Sequence, residues 1–460
     1  MRTLVVAGPH SGVGKTTVAT GLMAAFARRG LRVQGFKVGP DYIDPTYHTL
    51  ACGRPSRNLD RWLTDAGGLV ELFERAAARA DVCVVEGVMG LFDGRLGATE
   101  QASTAEVAKL LGAPVLLVLD AARMARSAAA LAWGFAHFDP ALRLAGVILN
   151  NLGSDRHRQA IVPSVEQEAG LPVLGALRRD PALRLPERHL GLVPASEGPL
   201  VAAFLEAVVA AVEQGCDLPR LLRLAETAAP PPRPLAPALF PDRPQPPRAR
   251  LAVARDRAFS FYYQDSLDLL EAWGLELAPF SPLADPALPD CDGVYLGGGF
   301  PELAAAELAA NHDMLASVRR AAARGLPIYA ECGGLMYLGQ ALRDPEGREH
   351  RLVGLAPFVT SMGAPRVTVG YRRVRARADG PILRAGETLP GHEFHWSVLH
   401  AGPDPASAAY DLLDPPGRPE GYQRGPLLAS YVHLHLGSRP ALAARLVAAC
   451  ARARAAATAS

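Results

Sequence analysis

The stretch "TLVVAGPHSGVGKTTVATGLMAAFARRG", residues 3–30, constrains the fold more than any other part of the chain. An apolar strand-like run enters a glycine-containing loop, and Lys15, Thr16 and Thr17 then open a segment with helical character. A strand that feeds a helix through a tight glycine loop begins a βαβ unit, and repeated βαβ units require a parallel sheet covered on both faces. Further apolar runs, "RVQGFKVG", "DVCVVEG", "PVLLVLD", "AGVILNN" and "PVLGAL", alternate with Ala-, Leu- and Arg-rich helical stretches. The alternation stops at "AAPPPRPLAPALFPDRPQPPRAR", residues 228–250, where proline excludes helix and favours an extended spacer. It resumes with "RLAVARD", "GVYLGGG" and "LPIYAEC", and becomes richer in strands from Val353 to Tyr431. We therefore expect an α/β protein of two domains: a doubly wound parallel sheet over residues 1–227, a proline-rich linker over 228–249 and a second α/β domain over 250–450. The length of 460 residues agrees, because one ordinary core does not grow to that size.

The loop from Gly8 to Gly14 has the context of a P-loop, between a strand and a helix, with five residues between the two glycines where the usual spacing has four. Gly12 and Gly14 free backbone N–H groups to converge on phosphate oxygens, Lys15 supplies a cation for them, and the hydroxyls of Thr16 and Thr17 stand at the helix start. Ligands of open α/β sheets gather beyond the carboxyl ends of the strands. "FKVGPDYIDP" places Lys37, Asp41 and Asp44 at one such end, and "DVCVVEGVMGLFDG" places Glu86 and Asp93 at another. Glu86 has the position of a Walker B acid, so Thr16 and Glu86, with Asp41, are the candidate Mg²⁺ ligands, and Lys37 is a candidate to complement a transferring phosphoryl group. Asn150 and Asn151, at a third strand end, are candidates for the nucleobase.

Composition narrows the partners. Lys plus Arg number 48 against 46 Asp plus Glu, a balance that gives no electrostatic reason to expect nucleic acid. The six cysteines form no C-x-x-C pair, which argues against a disulfide framework or structural zinc and for a reducing cytoplasm. No apolar run reaches the roughly 20 residues that span a bilayer.

"LPIYAECGGLMYLG" reads as strand, sharp turn and helix, the arrangement that projects one side chain, here Cys332, as a nucleophile. The helix end is expected to lower the thiol pKa and leave Cys332 partly as thiolate. Gly297, Gly298 and Gly299 in "GVYLGGGFPE", with Gly333, are candidates to aim backbone N–H groups at an oxyanion. "ASYVHLHLGS" supplies two candidate bases, His433 and His435.

The five-residue loop spacing resembles that of dethiobiotin synthetase-like ATPases, which activate a carboxylate by phosphorylation. "KVGPDYIDP" and "EGVMGLFDG" resemble the a,c-diamide synthases of corrinoid biosynthesis, and the second half is similar to class I glutamine amidotransferases. The match runs over nearly the whole chain apart from linker and tail, with "DRAFSFYYQDSLDLLE" and "GHEFHWS" adding to it. That resemblance implies a P-loop synthetase domain followed by a class I amidotransferase-like domain, with ATP and glutamine as co-substrates, Mg²⁺ as cofactor and a corrinoid acid, cobyrinate or hydrogenobyrinate, as acceptor. It implies Cys332 as nucleophile and His433 as its base, and makes Tyr42, Asp44 and Asp93 candidates for arranging the acceptor. Most class I glutaminases carry a glutamate two residues after the histidine; this chain has His435 there, as the corrinoid branch also lacks the acid, which leaves the orienting group open between a water and a carboxylate such as Glu393. A soluble cytoplasmic enzyme without nucleic acid or membrane partners is expected, with a homodimer left open. The rival readings are diamidation of a nickel-sirohydrochlorin, and a P-loop dimerisation switch with a degenerate thiol domain.

Overall fold

A computed structural model describes the chain apart from residues 96–98, 186, 189–190, 193–198, 232–238, 364–366, 401–403, 415 and 460. Two compact units emerge, one of Met1–Arg61 with Asp65–Ala236 and one of Trp62–Thr64 with Pro237–Ser460. Of the expected proline-rich linker, residues 232–238 lie outside the described residues, and the described parts of 226–248 form neither helix nor strand.

In the first unit seven strands form one sheet: β1 (Thr3–Ala7), β2 (Val33–Val38), β3 (Arg57–Leu59), β4 (Val82–Glu86), β5 (Val115–Asp120), β6 (Leu144–Leu152) and β7 (Val173–Arg178). Their order is β3-β2-β4-β1-β5-β6-β7, and every pair is parallel. Alternate residues of β1 serve different cores. Leu4 and Val6 pack with Val18, Leu22, Phe26 and Val208, whereas Val5 and Ala7 pack with Phe73, Val107 and Ile161. Both faces of the strands are therefore buried, which is why they read as continuous apolar runs. The edge strand β3 carries only "RNL", too short to show a period.

The second unit centres on a six-stranded sheet in the order Leu275–Phe280, Ala249–Ala254, Gly293–Leu296, Ile328–Glu331, Leu427–Ser430, Tyr422–Arg424. Its pairs are parallel except the last, where Tyr422–Arg424 runs antiparallel at the edge. A five-stranded antiparallel sheet follows the order Pro416–Glu420, Tyr410–Leu413, Thr368–Ala376, Thr388–His395, Val432–Leu434. The chain leaves the first sheet at Ser430 and enters the second at Val432, so one short step carries His433 to its place. Among the described residues no helix is long and apolar enough to cross a membrane.

Candidate active sites

In the first unit, the loop after β1 ends at Gly14, which caps helix α1 (Lys15–Arg28) in the left-handed region at φ 99°. A Cβ there would lie 2.1 Å from Asn150 Nδ2, so both backbone and space demand glycine. Asn150 Nδ2 donates to the Val13 carbonyl at 3.0 Å and ties the loop to β6. The Lys15 ammonium donates to the carbonyls of His10 (2.9 Å) and Met89 (2.6 Å). Burial, helped by the charge of Lys37, pulls it down to about 8. A cavity of about 1020 Å³ opens here. Gly12, Gly14, Lys15, Thr16, Thr17, Lys37, Asp41, Asp44 and Glu86 all line it, with Asn150 and Asn151.

The sheet register sets the charges. Lys37 of β2 is the direct neighbour of Glu86 of β4, and its Nζ lies 2.8 Å from Glu86 Oε1 and 2.6 Å from Asp44 Oδ2. Burial alone would deprotonate Lys37, but Asp44 and Glu86 hold it charged. Burial likewise works against the Glu86 anion, and Lys37 and His48 overcome it, so that carboxyl sits well below the usual range. Asp44 goes the other way, raised by burial and by the neighbouring Asp41 charge.

Several site expectations change on this geometry. Lys37 faces the cavity with its charge already shared by two carboxylates. Asp44, expected on the acceptor side, is buried in that ion pair, and its Oδ2 is 3.4 Å from the Thr16 hydroxyl. Asp41, expected as a metal ligand, uses Oδ1 to accept the N–H groups of Ile43 and Asp44 at the start of helix α2 (Asp44–Cys52). Tyr42 is buried, and Asp93 accepts the Gly90 N–H at 3.0 Å; neither is among the residues that line the cavity. His48 was missed. It sits one turn after Asp44 on α2, with Nε2 2.6 Å from Glu86 Oε2 and Nδ1 3.3 Å from the Ser56 hydroxyl. The spacing "DPTYH", which puts an acid and a histidine on one helix face, was the available signal.

The oxygen set suits Mg²⁺. The Thr16 hydroxyl lies 2.7 Å from Glu86 Oε1, and this cation binds one or two protein oxygens together with phosphate and water. Among the described residues there is no group of three or more His, Cys, Asp or Glu that could hold a metal by itself.

In the second unit, strand Ile328–Glu331 turns at Cys332 into the six-residue helix Gly333–Leu338. Cys332 has φ 48° and ψ −103°, a strained backbone for a residue with a side chain. The Cys332 N–H donates to Ser430 at 2.7 Å, and a Cβ on Gly334 would lie 2.2 Å from the Leu296 carbonyl, so the elbow is pinned between neighbouring strands. A Cβ on Gly298 would stand 2.7 Å from His433 Cε1 and 3.5 Å from Cys332 Cβ. The histidine ring and the cysteine thus flank one glycine. His435 is used elsewhere: its ring packs on Tyr263, its Nδ1 accepts the Gly437 N–H, and burial lowers it to about 4.

Three details depart from expectation. Cys332 is only 5% exposed, and burial, then the charge of Glu302, push its thiol well above the usual range; the Gly333 N–H that opposes them belongs to a helix too short to compensate. The resting group is a thiol, with Sγ 3.6 Å from the Phe394 carbonyl. The Gly298 N–H is taken by the Phe261 carbonyl at 3.2 Å, while the nitrogen of Gly299 lies 3.1 Å from the Cβ position of Gly333. Glu393 is held by Arg372 (2.6 Å), Arg418 (2.9 Å) and His395 (3.0 Å). The carboxylate near His433 is Glu331, 3.8 Å from Nδ1, immediately before the cysteine in the chain. Tyr295 donates to it at 2.8 Å, as do Tyr329 and the Leu434 N–H.

Residues 4–193 match the CobQ/CobB/MinD/ParA nucleotide binding domain, and residues 250–441 the CobB/CobQ-like glutamine amidotransferase domain. The cobyrinate a,c-diamide synthase of Dehalococcoides mccartyi strain CBDB1 is 46% identical over 452 residues, covering 96% of this chain and 97% of that protein. The protein of the same name from Syntrophotalea carbinolica is 47% identical over 455 residues, 97% of this chain and 98% of that one. The one from Salmonella typhimurium is 43% identical over 454 residues, with 97% and 98% covered. Identity at this level over nearly the full length of both chains shows that the chain belongs to the cobyrinate a,c-diamide synthase family.

Proposed function

We propose that this chain converts the a- and c-carboxylates of a corrinoid acid, cobyrinate or its cobalt-free counterpart hydrogenobyrinate, to amides with ATP and glutamine. The observation that carries the reading is the strained elbow at Cys332 with the His433 ring beside the same glycine. A phosphate loop alone serves many ATPases; joined to such a thiol it calls for a nitrogen donor. The names of the relatives supply the acceptor.

A carboxylate is a poor electrophile; attack of its oxygen on the γ-phosphorus of ATP, with ADP as leaving group, turns it into an acyl phosphate from which phosphate can leave in the amide-forming step. Catalysis of that step is positioning and charge neutralisation by Lys15 and Lys37. Thr16 and Glu86 would hold Mg²⁺, which when bound screens the phosphate charge. In the other unit Cys332 attacks the glutamine amide as His433 takes the thiol proton and passes it to the leaving nitrogen. Water then cleaves the thioester to glutamate, with the N–H groups of Gly299 and Gly333 facing the oxyanion. Ammonia displaces phosphate from the acyl phosphate and the amide forms. Asp41, which lines the cavity, and Tyr42, its neighbour in the chain, are the acceptor-side groups we favour, with the first unit as synthetase domain and the second as glutaminase domain.

The near-neutral charge and the six free cysteines support a cytoplasmic enzyme without nucleic-acid partners. The test is product mass from cobyrinate and hydrogenobyrinate in parallel, which identifies the acceptor and counts the amides; a nickel-sirohydrochlorin arm tests the rival. Cys332→Ala is expected to lose glutamine-dependent product and keep product made with ammonium salt. Loss of both, or no product from either corrinoid, overturns the reading.

A further inference from the structure

Cys332 opens into a pocket lined mainly by apolar side chains, Phe261, Met336, Phe394 and Trp396 among them, with His395 and Ser397 also at its wall. Glu302 is the one carboxylate among the described residues that line it. It stands on the short helical turn Pro301–Ala304, three residues after Gly299 on the same loop. Only 6% of Glu302 is exposed. Among the described residues it has no cation within ion-pair distance, and its carboxyl is met by its own backbone N–H. Burial pushes it up to about 7, and among the acids around Cys332 its charge acts on the sulfur most strongly, ahead of Glu331 and Glu393. A carboxylate in that state lacks a positive partner, and water reaches it too little to replace one.

The glutaminase reading, on which this inference rests, supplies the partner. Glutamine has a neutral amide at one end and an ammonium and a carboxylate at the other. With the amide carbon at Cys332 and the methylenes against the apolar wall, the ammonium needs an acceptor inside the same pocket. We propose that Glu302 is the recognition site for the α-ammonium of the glutamine substrate. Binding would give the buried acid its missing charge partner. The enclosed space is about 30 Å³, smaller than the substrate, so flexible side chains such as Met362 at the pocket have to part on entry.

The experiment compares ammonia release from glutamine and from 4-carbamoylbutanoate, the same molecule without its amino group, in the wild type and in Glu302→Gln. The wild type is expected to prefer glutamine by about 10²-fold in kcat/KM, the scale of one charge-assisted hydrogen bond in a dry site. In Glu302→Gln the preference should fall to a few-fold, through a raised KM for glutamine, with the rate on the deamino analogue little changed. Circular dichroism and the thermal unfolding midpoint of the variant, compared with wild type, report that its fold is intact. An unchanged preference, or an equal loss on both substrates through kcat, overturns the proposal. Should the variant fail to fold, the wild type decides: equal use of the two substrates overturns it. A wild type that hydrolyses neither, while folded, overturns the glutaminase reading itself.

Discussion

Glu331 Oε2 stands 3.8 Å from Nδ1 of His433, and the two residues reach one another from strands of different sheets. In the proposed mechanism a carboxylate on that side would orient the ring and offset the positive charge that develops as it accepts the Cys332 proton. The separation is longer than a hydrogen bond, so the contribution is electrostatic in this resting geometry. Glu331→Gln keeps the shape but removes the charge, and its single amide oxygen can accept on only one of the two sides where Tyr295 and Tyr329 donate. Glutamine-dependent turnover is expected to fall by about 10²-fold or more, with ammonium-supported turnover retained; steady-state assays with the two nitrogen sources check this.

Gly298→Ala tests the placement of the base. Its methyl group would lie 2.7 Å from His433 Cε1, tighter than such contacts allow, so the ring must shift away from Cys332. We expect glutaminase activity to drop by about 10²-fold, as misplacement by an ångström does in general acid–base catalysis, while ATP-dependent amidation with ammonium persists. Equal rates for variant and wild type with glutamine would contradict the placement.

Glu86 is fully buried between Lys37 and His48. Glu86→Gln leaves the lysine with Asp44 alone, and removing one partner of a buried ion pair destabilises by about 3–5 kcal/mol. A lowered urea midpoint, together with loss of turnover on both nitrogen sources, is the expected outcome. His48→Gln is milder: it loosens the orientation of Glu86 and is expected to weaken Mg²⁺ dependence by about 10- to 100-fold, read by Mg²⁺ titration of the ammonium-supported rate.

Acid stability should depend on Glu393. Burial would raise its carboxyl, but the hydrogen bond from His395 and the charges of Arg418 and Arg372 hold it down at about 2. A carboxyl depressed on folding stabilises the folded state above its unfolded value near 4.5 and loses that contribution as pH falls toward 2. The scale is at most about 3 kcal/mol. Urea midpoints for Glu393→Gln are expected below wild type at pH 7, with the gap closing as pH falls from about 4.5 and gone only below about pH 2; parallel curves would contradict this.

By itself the sequence determined the layered architecture and the location of both sites. Strands buried on two faces must read as apolar runs, and a phosphate loop or a nucleophile elbow is a strand, turn and helix contiguous in the chain, so local pattern carries it. Lys15, Thr16 and Cys332 could be proposed for that reason, whereas His433, distant in the chain from the elbow, could be chosen over His435 only through the family resemblance. The strand Leu275–Phe280 was not legible, because Glu276 and Pro279 interrupt its apolar pattern. Only the tertiary structure decided that Lys37 is shared between Asp44 and Glu86, that His48 backs Glu86, that Glu331 rather than Glu393 approaches His433, and that Cys332 rests as a thiol. Each of these depends on sheet register or on burial. Both are sums over neighbours drawn from distant segments, and no short stretch of sequence contains the sum.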